Sequence, residues 1–241
     1  MAWFVQSEYK DYDEGTYWSP AIVPIAGEHA RFDEVASKLT QELNDKYMAG
    51  DRNRDSASYP ELVYNKGLPR LYDGWRFPRF DAVLYDKLKH QEGEIVDIIS
   101  TSFGAHAISQ KVIDIIEGIE PGVHQFIAYG MLNPDGSIHP AKRWLLNICT
   151  RAEVINVEKS NVVWMDHGGG RRKFADLTAG GRQPHIVVNA DEASRRAIWS
   201  EWRYHSGRPF LVSDRFWNAL RTEGLKGWAP HHAYLDHIEE I

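Results

Sequence analysis

From Glu28 to Met48 the chain places Phe32, Val35, Ala36, Leu39, Leu43 and Tyr47 at steps of three and four. That spacing gathers them on one stripe and predicts an amphipathic helix. Ahead of it, Trp3-Phe4-Val5 and Ala21 to Ile25 are short apolar runs that predict strands, separated by the polar stretch Glu8 to Gly15. Gly50 to Ser58 has no periodicity and reads as a loop. Lys66 to Phe80 is dense in Pro, Gly and aromatic residues and reads as irregular chain, and Asp81 to Lys89 as a second, weaker helix.

The later chain is richer in strands. Val123 to Tyr129, Trp144 to Thr150, Val154 to Val157, Val162 to Met165 and Ile186 to Val188 concentrate β-branched and aromatic residues. Asn133-Pro134-Asp135-Gly136 marks a turn, and Ala197 to Tyr204 alternates as a hairpin strand leading through Ser206-Gly207-Arg208 into Phe210-Leu211-Val212. Two segments echo each other. Ser109 is followed by Val112, Ile113, Ile116 and Gly118-Ile119; Ser213 is followed by Phe216, Trp217, Leu220 and Gly224-Leu225. Each Ser is placed to cap a helix N-terminus and each Gly to take a left-handed position after its end. Capping chemistry alone accounts for the echo as readily as an internal duplication does. The fold class is therefore α+β. A mixed N-terminal lobe (1–92) carries one long helix, and a β-rich C-terminal lobe (93–241) carries two Ser-capped helices.

Composition narrows the function. The 241 residues contain no apolar run long enough for a membrane helix, and the N-terminus has no basic start and long apolar stretch of the kind a secretory leader shows. Cys149 is the only cysteine, so an intramolecular disulfide and a cysteine zinc cage are excluded, and a reducing, cytoplasmic setting is expected. The net charge of −6 is uneven: residues 1–120 hold 21 acidic against 13 basic side chains, residues 121–241 hold 13 against 15. No basic nucleic-acid footprint follows from that distribution. Nine Trp and eleven Tyr supply large amphipathic surface for a core or an interface.

Motifs for catalysis come to little. His167-Gly168-Gly169-Gly170 looks like an oxyanion loop, but the chain has no Gly-x-Ser-x-Gly elbow, and a glycine turn between strands is the better reading. The Arg171-Arg172-Lys173 that follows is not joined to a phosphate-loop helix start. His231, His232, Asp236 and His237 lack recognised metal-ligand spacing and read as solvated. Cys149 lies in an apolar run and reads as a small hydrophobe. No catalytic, metal or cofactor-binding residue is assigned. The remaining candidates are partner contacts: Tyr9, Asp11, Tyr12, Asp13, Glu14 and Trp18, where carboxylates interleave with rigid aromatics, and, as a second location, Trp199 and Trp202.

From Gly93 the order of features resembles the eleventh immunity-protein family of bacterial polymorphic toxin systems. The residues that carry the likeness are Glu94 to Ile99, Gly122 to Ile127, Trp144 to Ile148, Val154 to Ser160, and Leu211-Val212-Ser213-Asp214-Arg215-Phe216 through Gly224-Leu225-Lys226-Gly227-Trp228. It spans roughly residues 93–229, with Asn156 standing where the family usually has Asp. The resemblance implies a cytoplasmic antidote that binds and blocks a cognate secreted toxin. Many such toxins are nucleases with basic clefts. An enzyme acting on a small molecule or on a toxin's modification, and a general interaction scaffold, are the competing expectations.

Overall fold

A computed structural model describes residues 2–7, 22–48, 76–77, 83–90, 94–152, 154–156, 158–161, 163–166, 173–176, 185–201, 210–230 and 238–240. Helix α1 (Ala26–Met48) forms on the predicted stripe. The carbonyl of Ile25 receives the N–H groups of Glu28 and His29 and starts the helix two residues earlier than the pattern implies. Phe32, Ala36 and Leu39 are buried. Phe32 meets Phe77 and Phe103 at centroid distances of 5.4 and 5.8 Å, and Phe103 meets Tyr129 edge-on at 6.4 Å. This aromatic row seats α1 on a six-stranded sheet.

That sheet runs β2 (Ile22–Pro24), β3 (Leu84–Leu88), β6 (Gln125–Leu132), β7 (Arg143–Asn147), β5 (His106–Ile108), β4 (Ile98–Ser100). The helix expected over Asp81 to Lys89 is instead the strand β3, antiparallel to β2 and parallel to β6. Leu84, Asp86 and Leu88 point inward in strict alternation. A carboxylate in the middle of the inward set hides the period of two, because the pattern looks polar where the side chain is in fact satisfied inside.

A five-stranded sheet has the order β14 (Trp228–Pro230), β1 (Ala2–Ser7), β13 (Phe210–Ser213), β12 (Ile198–Glu201), β8 (Arg151–Ala152). Strands from both sides of residue 92 thus share both sheets. Two two-stranded pieces complete the described strands: β9 (Val163–Asp166) with β10 (Lys173–Asp176), antiparallel, and β11 (Ile186–Val188) with β15 (Ile238–Glu240), parallel. The turn expected at Asp166 to Gly170 falls between β9 and β10, where residues 167–172 lie outside the described set. Of the strand expected over Val154 to Val157, the described residues 154–156 form none; Ile155 makes only an isolated bridge to Val188. The N–H groups of Val154 and Ile155 go to the carboxylate of Glu201 rather than to a ladder.

The echo around Ser109 and Ser213 extends well past the caps. The hairpin β4–β5 leads into α2 (Gln110–Ile119) and then β6; after the short helix α3 (Ala190–Ser194) the hairpin β12–β13 leads into α4 (Asp214–Thr222) and then β14. In each unit the strand after the helix lies parallel to the strand before it, with one antiparallel strand between them: β7 in the first unit, β1 in the second. The Ser109 N–H bonds Asp97 O at 2.8 Å and the Ser213 N–H bonds Ala197 O at 3.0 Å, one residue before Ile98 and Ile198. The two units follow the same path, and α2 packs on α4.

The caps themselves differ. Ser213 Oγ accepts the Phe216 N–H at 3.2 Å as expected, whereas Ser109 Oγ makes no cap bond and donates to Asp97 Oδ1 at 2.9 Å. Asp97 is the stronger acceptor and lies across the hairpin, so it takes the hydroxyl. Gly224 does take the left-handed position (φ 65°), its N–H on Arg221 O and the Leu225 N–H on Leu220 O, which is a Schellman closure. Gly118 does not; it lies inside α2, and the positive φ falls at Gly122.

Candidate functional site

Asp86 is fully buried, so its carboxylate must find donors inside the protein. It finds three. Oδ2 accepts the Ser102 N–H at 3.1 Å and the Tyr129 hydroxyl at 3.0 Å, and Oδ1 accepts the Ser102 hydroxyl in a short bond. Ser102 sits on the β4–β5 turn, which the Thr101 N–H and hydroxyl close onto Ala105 O. His29, from the first turns of α1, reaches Ser102 Oγ at 2.7 Å and stacks on Phe103 at 4.6 Å.

A Ser, a His and an Asp in one place invite a nucleophile reading, but the bond directions run the wrong way. In a nucleophilic triad the imidazole accepts the serine proton and the carboxylate orients the imidazole. Here Ser102 gives its single hydroxyl proton to Asp86, which leaves His29 to donate from Nε2. Burial, then the Asp86 charge, pushes the Tyr129 hydroxyl far above its ordinary pKa, so it stays a donor. The cluster pins α1, β3, β6 and the hairpin turn together. It is built to hold, not to attack.

The other inward ionisable groups do similar work. Glu120, just past α2, accepts the Ala197 and Ile198 N–H groups at 2.5 and 3.3 Å and bonds His124 Nε2 at 3.2 Å. Burial disfavours its charge, but His124 and these N–H groups outweigh that and hold the carboxyl below its usual range. His124 Nδ1 accepts the Cys149 N–H at 3.3 Å, which places the ring proton on Nε2. The half-buried Cys149 lies just beyond β7, and burial pushes its thiol up to about 11, so it offers no thiolate at neutral pH. Asp97 accepts the Lys226 N–H at 3.3 Å besides Ser109. Each of these carboxylates fastens distant backbone to itself.

On the surface, an open cavity of about 350 Å³ is lined by Lys89, His90, Asn133, Pro134 and Asp135, where β3 and β6 end side by side. Among the described residues no group of three or more His, Cys, Asp or Glu is placed to hold a metal ion, and no helix is long and apolar enough to cross a membrane.

Of the partner-contact candidates, Tyr9, Asp11, Tyr12, Asp13, Glu14, Trp18 and Trp202 lie outside the described residues, as do the C-terminal His231, His232, Asp236 and His237. Trp199 is described, and it is fully buried with Ala2, Val154, Ile155, Ile186, Val188, Ala193 and Leu211 in a second core. Its ring is packing, not free surface. Sequence alternation gave no warning, because β12 is covered on both faces: Ile198 enters the main core and Trp199 the second. The polar pins were missed as well, since His29, Asp86, Ser102 and Tyr129 are far apart in the chain and only strand register brings them together.

These features describe an α+β protein in which the buried carboxylates of Asp86 and Glu120, and Asp97, hold backbone of the fold together. The Immunity protein family (Imm11) matches residues 33–234, and the chain belongs to that family. The match begins well upstream of the likeness read from residue 93, taking in α1 from residue 33 on and β3. None of the curated proteins compared with it matches the chain. The protein is an immunity protein. Asn156, at the position where Asp was expected, accepts the Glu158 and Lys159 N–H groups through Oδ1 at 3.1 and 3.0 Å. The position needs an acceptor oxygen to close a turn, and Asn and Asp supply it equally.

Proposed function

We propose that the protein neutralises a cognate toxin of a bacterial polymorphic system by binding it one to one in the cytoplasm and covering its active cleft. The observation that carries this reading is the family match across residues 33–234. The internal engagement of Asp86, Glu120 and Asp97 supports it, because carboxylates already engaged by backbone N–H and side-chain donors of the fold are poor acids and bases for a substrate. The acidic excess of residues 1–120 suits a toxin with a basic cleft, such as a nuclease, and the segment from Tyr9 to Trp18 has the composition to meet it.

The test is titration against the toxin domain encoded beside this gene, with toxin activity and growth rescue as readouts. Occlusion predicts that protection saturates at equimolar protein and that the two co-purify. Complete neutralisation by a small fraction of an equivalent, with no stable complex, would overturn occlusion in favour of enzymatic inactivation.

A further inference from the structure

Val23 and Ile138, 44% and 67% exposed, are the large hydrophobic side chains left in the open among the described residues. Strand register puts them on one face. Val23 pairs with Lys87, Lys87 with Leu132, and Leu132 bridges to Ile138. Directly paired residues project to the same side of a sheet, so Val23, Lys87, Leu132 and Ile138 form a single row, roughly 14 Å wide at the usual strand spacing.

The next row on that face is Tyr85 opposite Gly130, and the following one Ala128 opposite Trp144. Tyr85 leans across the neighbouring strand so closely that a Cβ on Gly130 would lie 2.3 Å from its ring. Ala128 is exposed, and Tyr85, Leu132 and Trp144 are half-buried. The face is therefore a shallow apolar floor with two aromatic borders.

Its charges have one sign to spare. Lys87 stands in the row, and Lys89 and His90 line the cavity at its end. Asp135, the carboxylate there, accepts the N–H and hydroxyl of Ser137 at 2.9 and 2.7 Å. These bonds, with the nearby Lys87 charge, hold its carboxyl below the usual range, which leaves Lys89 as the surplus cation. Neither Lys87 nor Lys89 forms an ion pair among the described residues.

We propose that this face of the six-stranded sheet is a docking surface for the toxin, and that the toxin segment seated on it presents an apolar anchor flanked by carboxylates. The anchor meets Val23, Leu132 and Ile138, and the carboxylates meet Lys87 and Lys89. The proposal rests on the toxin-binding reading above and adds where and by what chemistry contact is made, whatever the toxin's net charge.

The experiment measures binding kinetics of the purified neighbouring-gene toxin domain to wild type, Val23→Glu, Ile138→Glu and Lys87→Glu/Lys89→Glu, with melting curves and sedimentation of each. Wild type is expected to bind. Ile138→Glu and Val23→Glu should weaken binding by about tenfold or more, chiefly through faster dissociation. Lys87→Glu/Lys89→Glu should slow association and shift its salt dependence away from the wild-type slope. Melting temperatures should stay at the wild-type value, since these side chains are on the surface. Wild-type affinity in all three variants overturns this surface while leaving toxin neutralisation standing. Failure of the wild type itself to bind overturns both. A wild-type dimer that Ile138→Glu dissociates without changing toxin affinity assigns the face to a second copy and overturns the proposal.

Discussion

His106 faces Phe210 and Trp228 edge-on at 5.5 and 5.1 Å, and burial among these rings pushes its pKa down to about 3 from the ordinary 6.5. The folded protein keeps the ring neutral while the unfolded chain takes up a proton, so stability is lost as pH falls from about 6.5 toward 3. Replacing His106 with Phe should flatten the acid limb of stability against pH, measured by urea unfolding at pH 7, 6 and 5. An unchanged slope would show that the ring is not the source. The two echo serines differ in a way that a double-mutant cycle resolves. Ser213→Ala should cost about 1 kcal/mol through its lost cap, independently of Asp97. Ser109→Ala should couple to Asp97→Ala by about 1–2 kcal/mol, as a hydrogen bond to a charged acceptor does. Additive losses would sink that assignment.

At the scale of elements, Gly227 decides how the hairpin strand β4 is sheltered. Ile98 N–H bonds Lys226 O at 3.0 Å, and Gly227 has φ 119°, with a Cβ there falling 1.9 Å from Ile98 O. Gly227→Ala must displace backbone, not a side chain, and should destabilise by about 3 kcal/mol or more in a denaturant titration. Local pattern predicted the elements well where one face was dry and one wet. The α1 stripe and the run of β6 are legible for that reason, whereas β7 and β13, buried on both faces, are legible as unbroken apolar runs and Asn133 to Gly136 by its turn residues. Local pattern failed where chemistry replaced hydrophobicity, and two-sided burial hid which residues face solvent. Asp86 disguised β3 as a helix, Asp97 diverted Ser109 from its cap, and Trp199 looked like surface because both sides of β12 are covered. The row from Val23 to Ile138 was invisible for a further reason: an exposed hydrophobe acquires a neighbour only through register between strands distant in the sequence.

Across the whole molecule, Glu120 joins the first β-β-α-β unit to the second, its carboxylate at the end of α2 holding the start of β12. Glu120→Gln should lower stability by about 1–3 kcal/mol at neutral pH. Because the folded carboxyl lies below its ordinary value of 4.5, the wild-type advantage is present above that value and disappears as pH falls through the folded pKa. Unfolding curves of the two proteins should therefore converge in acid, and a gap that persists there would rule out the charge as the cause.

The placement of β1 between β13 and β14 has a consequence in time. Trp3 and its ladder partner Val212 are made more than 200 residues apart. At synthesis rates of about 5–20 residues per second the first strand waits roughly 10–40 s for its neighbours. The five-stranded sheet closes only after residue 230 has emerged, so a nascent chain stalled short of that point lacks a completed sheet. Between the first strand and a completed sheet there is thus a delay that only translation can shorten, and it falls on every new copy of the protein.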